Sequence, residues 1–231
     1  MPVLLKASGK TTTDHIAPGG PWVRLRGHIG KSAASMLLRG MNAYTGEAGM
    51  TYNALTGTSR ESVPDVARDY KTKNVRWVII GDANYGEGSS REHAALYPRF
   101  LGGAAIIARS FARIHESNLK KQGLLALTFR NPADYDRIRE RDRISIGRLK
   151  LMKEGKPVEC RIAHDDGTVE TLALEHSFTT AQLEWFRAGS ALNLCRGQPV
   201  RRAKTNIRRR KNKATRSVAR AKTVARRASR R

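Results

Sequence analysis

The sequence predicts an α/β fold followed by a strongly basic tail. Apolar, strand-like runs alternate with helical patterns between residues 75 and 129, which is typical of parallel strands joined by helices. Three further strand-like segments follow from residue 143, and a turn sequence separates the last two. An antiparallel hairpin is therefore expected to complete the sheet. The third observation is the charge distribution, which separates the tail from the body.

The tail is defined by its charge. The chain has 231 residues, with 44 Lys and Arg against 20 Asp and Glu, for a formal net charge of +24. Residues 196–231 hold 16 of the basic groups and neither an acidic nor an aromatic residue. We therefore predict a domain over 1–195 and a disordered or helical basic tail over 196–231.

Individual elements follow from the apolar pattern and from the positions of Gly and Pro. The strands predicted for the parallel unit are 75–80, 104–108 and 124–129, and its helices are 89–96 and 112–121. The strands predicted for the antiparallel part are 143–146, 158–163 and 169–174, followed by an amphipathic helix over 179–192. Residues 1–74 have weak periodicity, so long loops are expected there.

The composition argues against several classes of protein. Cys160 and Cys195 are the only cysteines, so neither a disulfide framework nor the thiolates of an iron–sulfur cluster are expected from this chain. The six histidines lack metal-ligand spacing, and no metal site is predicted. No apolar run approaches the ~20 residues that cross a bilayer, so no membrane partner is expected. Residues 1–5 are too short for the apolar core of a signal peptide.

The glycine-rich loop 81–93 is the most informative segment. It follows a strand and precedes a helix, where free N–H groups and the helix dipole favour an anion. Arg91 is suited to bidentate binding of a carboxylate, and a serine in such a field can act as a base. However, Ser89 and Glu92 also fit the capping box of an ordinary helix start. The residue pattern leaves both interpretations open.

A family resemblance adds further evidence about this loop. Residues 81–96 (GDANYGEGSSREHAAL) resemble the C-terminal signature of aconitase, of the mitochondrial type. Further matching segments are TTDHI at 12–16, GPW at 20–22 with RGH at 26–28, SFARIHE at 110–116, NLKKQGLL at 118–125 and EWFRAGSALN at 184–193. The resemblance covers about residues 3–195. It implies the swivelling β/β/α domain of the family, which is LeuD-like because related isomerases use a similar domain as a separate small chain.

The resemblance also implies site residues. Ser89 resembles the family's catalytic base, and Ser90 and Arg91 resemble ligands of the substrate carboxylates. Arg26 resembles a second carboxylate-binding arginine. The residues with an implied supporting role are Asp14 and His15. The implied ligands are citrate, isocitrate and cis-aconitate. The implied cofactor is a [4Fe–4S] cluster that acts as a Lewis acid and is not ligated by this chain.

These implications define two alternatives. In the first, the domain completes its site with cluster-bearing aconitase N-terminal domains in the mitochondrial matrix, although residues 1–5 contain no targeting sequence. As an isolated chain it is then expected to be inactive. In the second, the domain is non-catalytic and acts as an RNA- or ribosome-associated structural protein through residues 196–231. Such binding would depend on phosphate contacts and fall steeply with salt.

Overall fold

A computed structural model describes residues 1–197 as one unit. Its strands are β1 (Val3–Lys6), β2 (Met50–Thr51), β3 (Glu61–Ser62), β4 (Trp77–Gly81), β5 (Gly103–Ala108), β6 (Leu125–Phe129), β7 (Arg143–Ile146), β8 (Val158–Ala163) and β9 (Val169–Glu175). Its α-helices are α1 (Thr13–Ile16), α2 (Ile29–Ser32), α3 (Val63–Thr72), α4 (His93–Phe100), α5 (Arg113–Lys121), α6 (Thr180–Arg187) and α7 (Ala191–Gly197). No helix in this part of the chain is long and apolar enough to cross a membrane.

A seven-stranded sheet organises the unit in the order β1-β4-β5-β6-β9-β8-β7. Strands β1, β4, β5 and β6 are parallel, whereas β9, β8 and β7 pair in antiparallel fashion. The predicted α/β class is confirmed, together with the parallel unit and the antiparallel extension. The hairpin turn is also as expected, since the N–H of His164 donates to the carbonyl oxygen of Thr168.

Alternate side chains of the central strands supply two separate cores. On β4, Trp77 and Ile79 belong to one core, whereas Val78 and Ile80 belong to the other. Helices α3, α4 and α5 cover the first face, and the hairpin strands with α6 contribute to the second. Burial on both faces explains why these strands read as continuous apolar runs instead of alternating ones.

The expectation of loops over 1–74 is wrong, most clearly at β1 and α3. All four residues of β1 are buried, and the strand pairs with β4. Helix α3 extends over ten residues and buries Val63, Val66, Ala67 and Tyr70, which share one helix face. A four-residue strand without alternation has no local signature, because its pairing partner lies more than seventy residues away.

The predicted helix over 179–192 is also wrong in extent. Helix α6 starts with the reciprocal capping box of Thr179 and Gln182, but it ends at Arg187. Gly189 then adopts a left-handed conformation with φ of 87°, and α7 begins two residues later. The carbonyl oxygen of Gly189 accepts a hydrogen bond from Arg99 Nη2 at 3.0 Å, which fixes this break against α4.

Candidate functional site

The glycine-rich loop follows β4 at the carboxyl edge of the parallel strands. Its course depends on left-handed backbone at Asn84, Gly86 and Gly88. At Gly86 the close packing also requires glycine, because a Cβ atom there would lie only 2.2 Å from the His115 ring. The loop is thus pressed against α5 before it reaches Ser89.

Three hydrogen bonds connect this loop to residues 11–13. Gly86 N–H donates to the Thr11 carbonyl at 2.8 Å, and Thr13 N–H donates to the Glu87 carbonyl at 2.8 Å. The Thr13 hydroxyl donates to the Ser89 carbonyl at 2.9 Å. Thr13 therefore fixes the backbone of Ser89, a role that sequence reasoning missed because the two residues are 76 positions apart.

The helix after the loop begins later than predicted. Helix α4 starts at His93 with Glu92 as its N-cap, and Glu92 makes no side-chain capping hydrogen bond. The capping-box interpretation of Ser89 and Glu92 is therefore wrong, and so is the placement of these hydroxyls in the first turn of a helix. Ser89 and Ser90 are exposed on the loop instead.

Arg91 is held by two acceptors. Its Nη1 donates to Asp14 Oδ1 at 2.5 Å and to the Ala17 carbonyl at 2.8 Å. Asp14 also accepts from Gly19 N–H and, through Oδ2, from Arg39 Nη1 at 2.6 Å. The hydrogen bond from Arg91 is the main cause that lowers the pKa of the Asp14 carboxyl below its usual range, and the Gly19 N–H contributes next. Asp14 is therefore an anion that connects two guanidinium groups.

An open groove of about 730 Å³ lies between the loop and α5. Ser89, Ser90 and Arg91 line it from the loop. Arg113 and Lys121 line it from α5, and neither has an ion-pair partner within 4 Å in residues 1–197. A second groove of about 560 Å³, on the hairpin side, is lined by none of the predicted site residues.

The remaining predicted residues lie outside the lining of this groove. Arg26 is exposed at the C-terminal end of a short 3₁₀ helix, and its carbonyl oxygen lies 3.4 Å from His93 Nε2 at the start of α4. His15 caps α1, because its Nδ1 accepts the N–H of Thr12 at 3.2 Å. The structure thus brings three of the six predicted residues to the groove, and Asp14 contacts one of them from behind.

His115 lies beneath the loop as a buried, neutral base. Its side chain is almost fully covered, and neither ring nitrogen has a hydrogen-bond partner among residues 1–197. Burial lowers its pKa to about 4. His115 therefore packs as an uncharged ring against Gly86 and Tyr85 at neutral pH.

The described residues do not fit an iron–sulfur cluster. Within residues 1–197, no group of three or more His, Cys, Asp or Glu side chains could hold a metal ion. Cys160 is buried, and burial raises the pKa of its thiol to about 12, while Cys195 is exposed on α7.

Fold and loop together define the class of α/β domain that presents a Ser-Ser-Arg loop at the carboxyl edge of its parallel strands. The chain belongs to the aconitase C-terminal domain family, whose model matches residues 1–132.

Mitochondrial aconitate hydratases match a longer part of the chain. The chain is 57% identical over 193 residues to the mitochondrial aconitate hydratase of Gracilaria gracilis, and 54% identical over 193 residues to that of Saccharomyces cerevisiae. Each alignment covers 84% of this chain but 25% of the relative, so the chain spans about a quarter of the length of these proteins. Both relatives are named as mitochondrial enzymes, which confirms the mitochondrial type of the resemblance.

Among solved structures, the chain is similar to the 3-isopropylmalate dehydratase of Methanocaldococcus jannaschii, with a TM-score of 0.49 and 22% identity, over 81% of this chain and 87% of that chain. The nucleic-acid alternative finds no support in these comparisons, and most of the tail on which it depends, residues 198–231, lies outside the described residues.

Proposed function

We propose that this domain forms the substrate-binding and base-bearing wall of an aconitase-type hydro-lyase site. The site would interconvert citrate and isocitrate through cis-aconitate. The observation that carries the proposal is the exposed Ser89-Ser90-Arg91 segment beside an open groove, with its backbone and its guanidinium both fixed from residues 11–17.

Arg91 is suited to bind a substrate carboxylate. Its Nη1 is committed to Asp14 and Ala17, whereas Nε and Nη2 have no hydrogen-bond partner among residues 1–197. Two N–H groups on one edge of a planar guanidinium match the two oxygens of a carboxylate. Because Nη1 is held, less side-chain freedom is lost when the ligand binds.

Ser89 is proposed as the base that takes a proton from the substrate carbon, with Ser90 as a hydrogen-bond donor to a carboxylate. A hydroxyl is a weak base, so its alkoxide form must be stabilised by nearby positive charge. Arg91 and Arg113 line the same groove and supply that charge. Arg26 is proposed to reach a second carboxylate from its exposed position, and His15 to support the site by capping α1.

The remaining wall would come from a cluster-bearing N-terminal part, because the described residues do not provide a ligand set for the cluster. We infer that the isolated chain binds tricarboxylates, but that turnover requires the cluster-bearing N-terminal part. Binding and turnover are therefore separate measurements on the same protein.

The test combines the full chain with the N-terminal part of a mitochondrial aconitate hydratase after its iron–sulfur cluster has been loaded. Citrate turnover is expected, and Ser89→Ala should lower kcat by about 10²- to 10⁴-fold, the usual contribution of a positioned base. Ser145→Ala, on an exposed position of β7, serves as the matched control and should retain full activity. Absence of turnover with a folded chain and a loaded partner would contradict the proposal.

A further inference from the structure

Asp14 contacts a second positively charged side chain in addition to Arg91. Its Oδ1 accepts from Arg91 and from Gly19 N–H, while Oδ2 accepts from Arg39 Nη1 at 2.6 Å. A single Arg–Asp pair has no net charge, so Asp14 alone would cancel much of the attraction of Arg91 for an anion. With Arg39 included, the three side chains have a net charge of +1.

Arg39 is placed by the fold and not only by its attraction to Asp14. It lies in a turn whose Leu37 is fully buried, and Leu37 N–H donates to the Ile16 carbonyl at 3.1 Å. Ile16 belongs to α1, the same helix that carries Asp14. The turn and the helix are therefore fixed to each other, and the Arg39 side chain, 60% exposed, reaches the free oxygen of Asp14.

We propose that Arg39 is a positioning residue for Arg91, acting through Asp14. It holds Oδ2 so that Oδ1 stays directed at Arg91 Nη1, and it offsets the negative charge that Asp14 brings to the site. The ligand class is unchanged from the proposed function, on which this inference rests: a carboxylate bound at Arg91. Arg39 makes the arginine pair a stronger anion site without contacting the ligand.

The direct test measures the pKa of the Asp14 carboxyl by NMR titration of the full chain. Removal of a neighbouring cation raises the pKa of a carboxyl, so Arg39→Gln should raise it, while Arg39→Lys should keep it near the wild-type value. Arg60→Gln removes an exposed arginine that pairs with Glu47 instead, and should leave Asp14 unchanged. An unchanged Asp14 pKa in Arg39→Gln would overturn the inference.

The functional test separates KM from kcat in the chain combined with the cluster-loaded N-terminal part. Arg39→Gln should raise KM for citrate about two- to fivefold with kcat retained, in keeping with the modest strength of exposed ion pairs. Arg39→Lys should restore KM. A fall in kcat at constant KM, or no change in either, would contradict a positioning role.

Failure of this inference can be told from failure of the proposed function. If the combined enzyme shows no turnover with the wild-type chain, the proposed function fails. The dissociation constant of citrate from the isolated chain is then measured in place of KM. A two- to fivefold larger dissociation constant for Arg39→Gln supports the role of Arg39, and an unchanged constant refutes it. If turnover is normal and Arg39→Gln behaves as wild type, only the role of Arg39 is lost.

Discussion

Two aspartates show how the two halves of the sheet differ. Asp14, beside the parallel strands, accepts hydrogen bonds from two arginines, and its side chain is 38% exposed. Asp142, which precedes β7 in the antiparallel half, accepts from His164 Nδ1 at 2.7 Å and from Arg139 N–H at 2.7 Å. Both Asp142 and His164 are completely covered.

The difference in exposure separates stability from binding. A covered, hydrogen-bonded carboxylate cannot meet a ligand, so its partners can only stabilise the fold. An exposed carboxylate between arginines contributes little to folding, yet it sets the charge and direction of groups that a ligand meets. We therefore expect substitutions at the two aspartates to change different measured quantities.

The largest effect on stability is expected at Asp142. Asp142→Ala leaves His164 Nδ1 and Arg139 N–H without their acceptor in a covered site, and should lower the free energy of unfolding by about 3 kcal/mol. Urea unfolding of the full chain measures this. Asp136→Ala, which removes an exposed partner of Arg109, is the control and should cost less than about 1 kcal/mol. Equal effects of the two substitutions would remove the distinction between covered and exposed carboxylates.

The buried histidine under the site loop should make stability depend on pH. The pKa of His115 is about 4 in the folded chain, below its ordinary value of 6.5, because burial disfavours the charged ring. The unfolded chain therefore binds a proton first as the pH falls. His115 therefore leaves the free energy of unfolding unchanged with pH above 6.5. Between pH 6.5 and about 4 it lowers that free energy by a total of about 3 kcal/mol.

The variant that isolates this effect is His115→Phe. Phenylalanine keeps a buried ring, and no hydrogen bond is lost, because both ring nitrogens lack partners in the described part of the chain. The difference in unfolding free energy between wild type and variant should change over this pH window. His28→Asn, at the exposed N-cap of α2, is the control and should leave the pH dependence of the unfolding free energy nearly unchanged. A wild-type pH profile in His115→Phe would show that other groups cause the dependence.

The sequence alone predicts a structural element correctly where the residues that cause it are close together in the chain. Continuous apolar runs identify β4, β5 and β6, and the turn before β9 is visible in its Asp-Asp-Gly-Thr sequence. The Ser-Ser-Arg loop is also recognisable, although its pattern fits both a capping box and an anion site. The structure excludes the capping box, because α4 begins only at His93. The Ser89 carbonyl instead accepts a hydrogen bond from the Thr13 hydroxyl, which comes from a distant part of the chain.

Non-local contacts explain the other differences. Strand β1 is a strand because it pairs with β4, and its four residues alone contain no such signal. Arg39 has no local mark as a site residue, since it lies 25 positions from Asp14 in a segment that was expected to be loop. The resemblance therefore implies the candidate site residues and also Asp14, whereas the contacts of Thr13 and Arg39 with them have no signal in the sequence.

The smallest effect on stability, and the sharpest form of the comparison, is expected at Asp14. Asp14→Asn keeps the side-chain shape and an acceptor for Gly19 N–H, but it removes the charge that fixes Arg91. Because the site is exposed, the free energy of unfolding should fall by less than about 1 kcal/mol. Removal of the Asp14 charge also strengthens the attraction of the arginines for an anion, but Arg91 must then be ordered by the ligand itself. We expect this second effect to dominate, so KM for citrate in the combined enzyme should rise about tenfold.

Asp142→Ala should show the reverse, with lower stability and an unchanged KM per folded molecule. If Asp14→Asn destabilised the chain as strongly as Asp142→Ala while KM stayed constant, Asp14 would be a structural residue like its counterpart, and the arginines around it would have no part in binding.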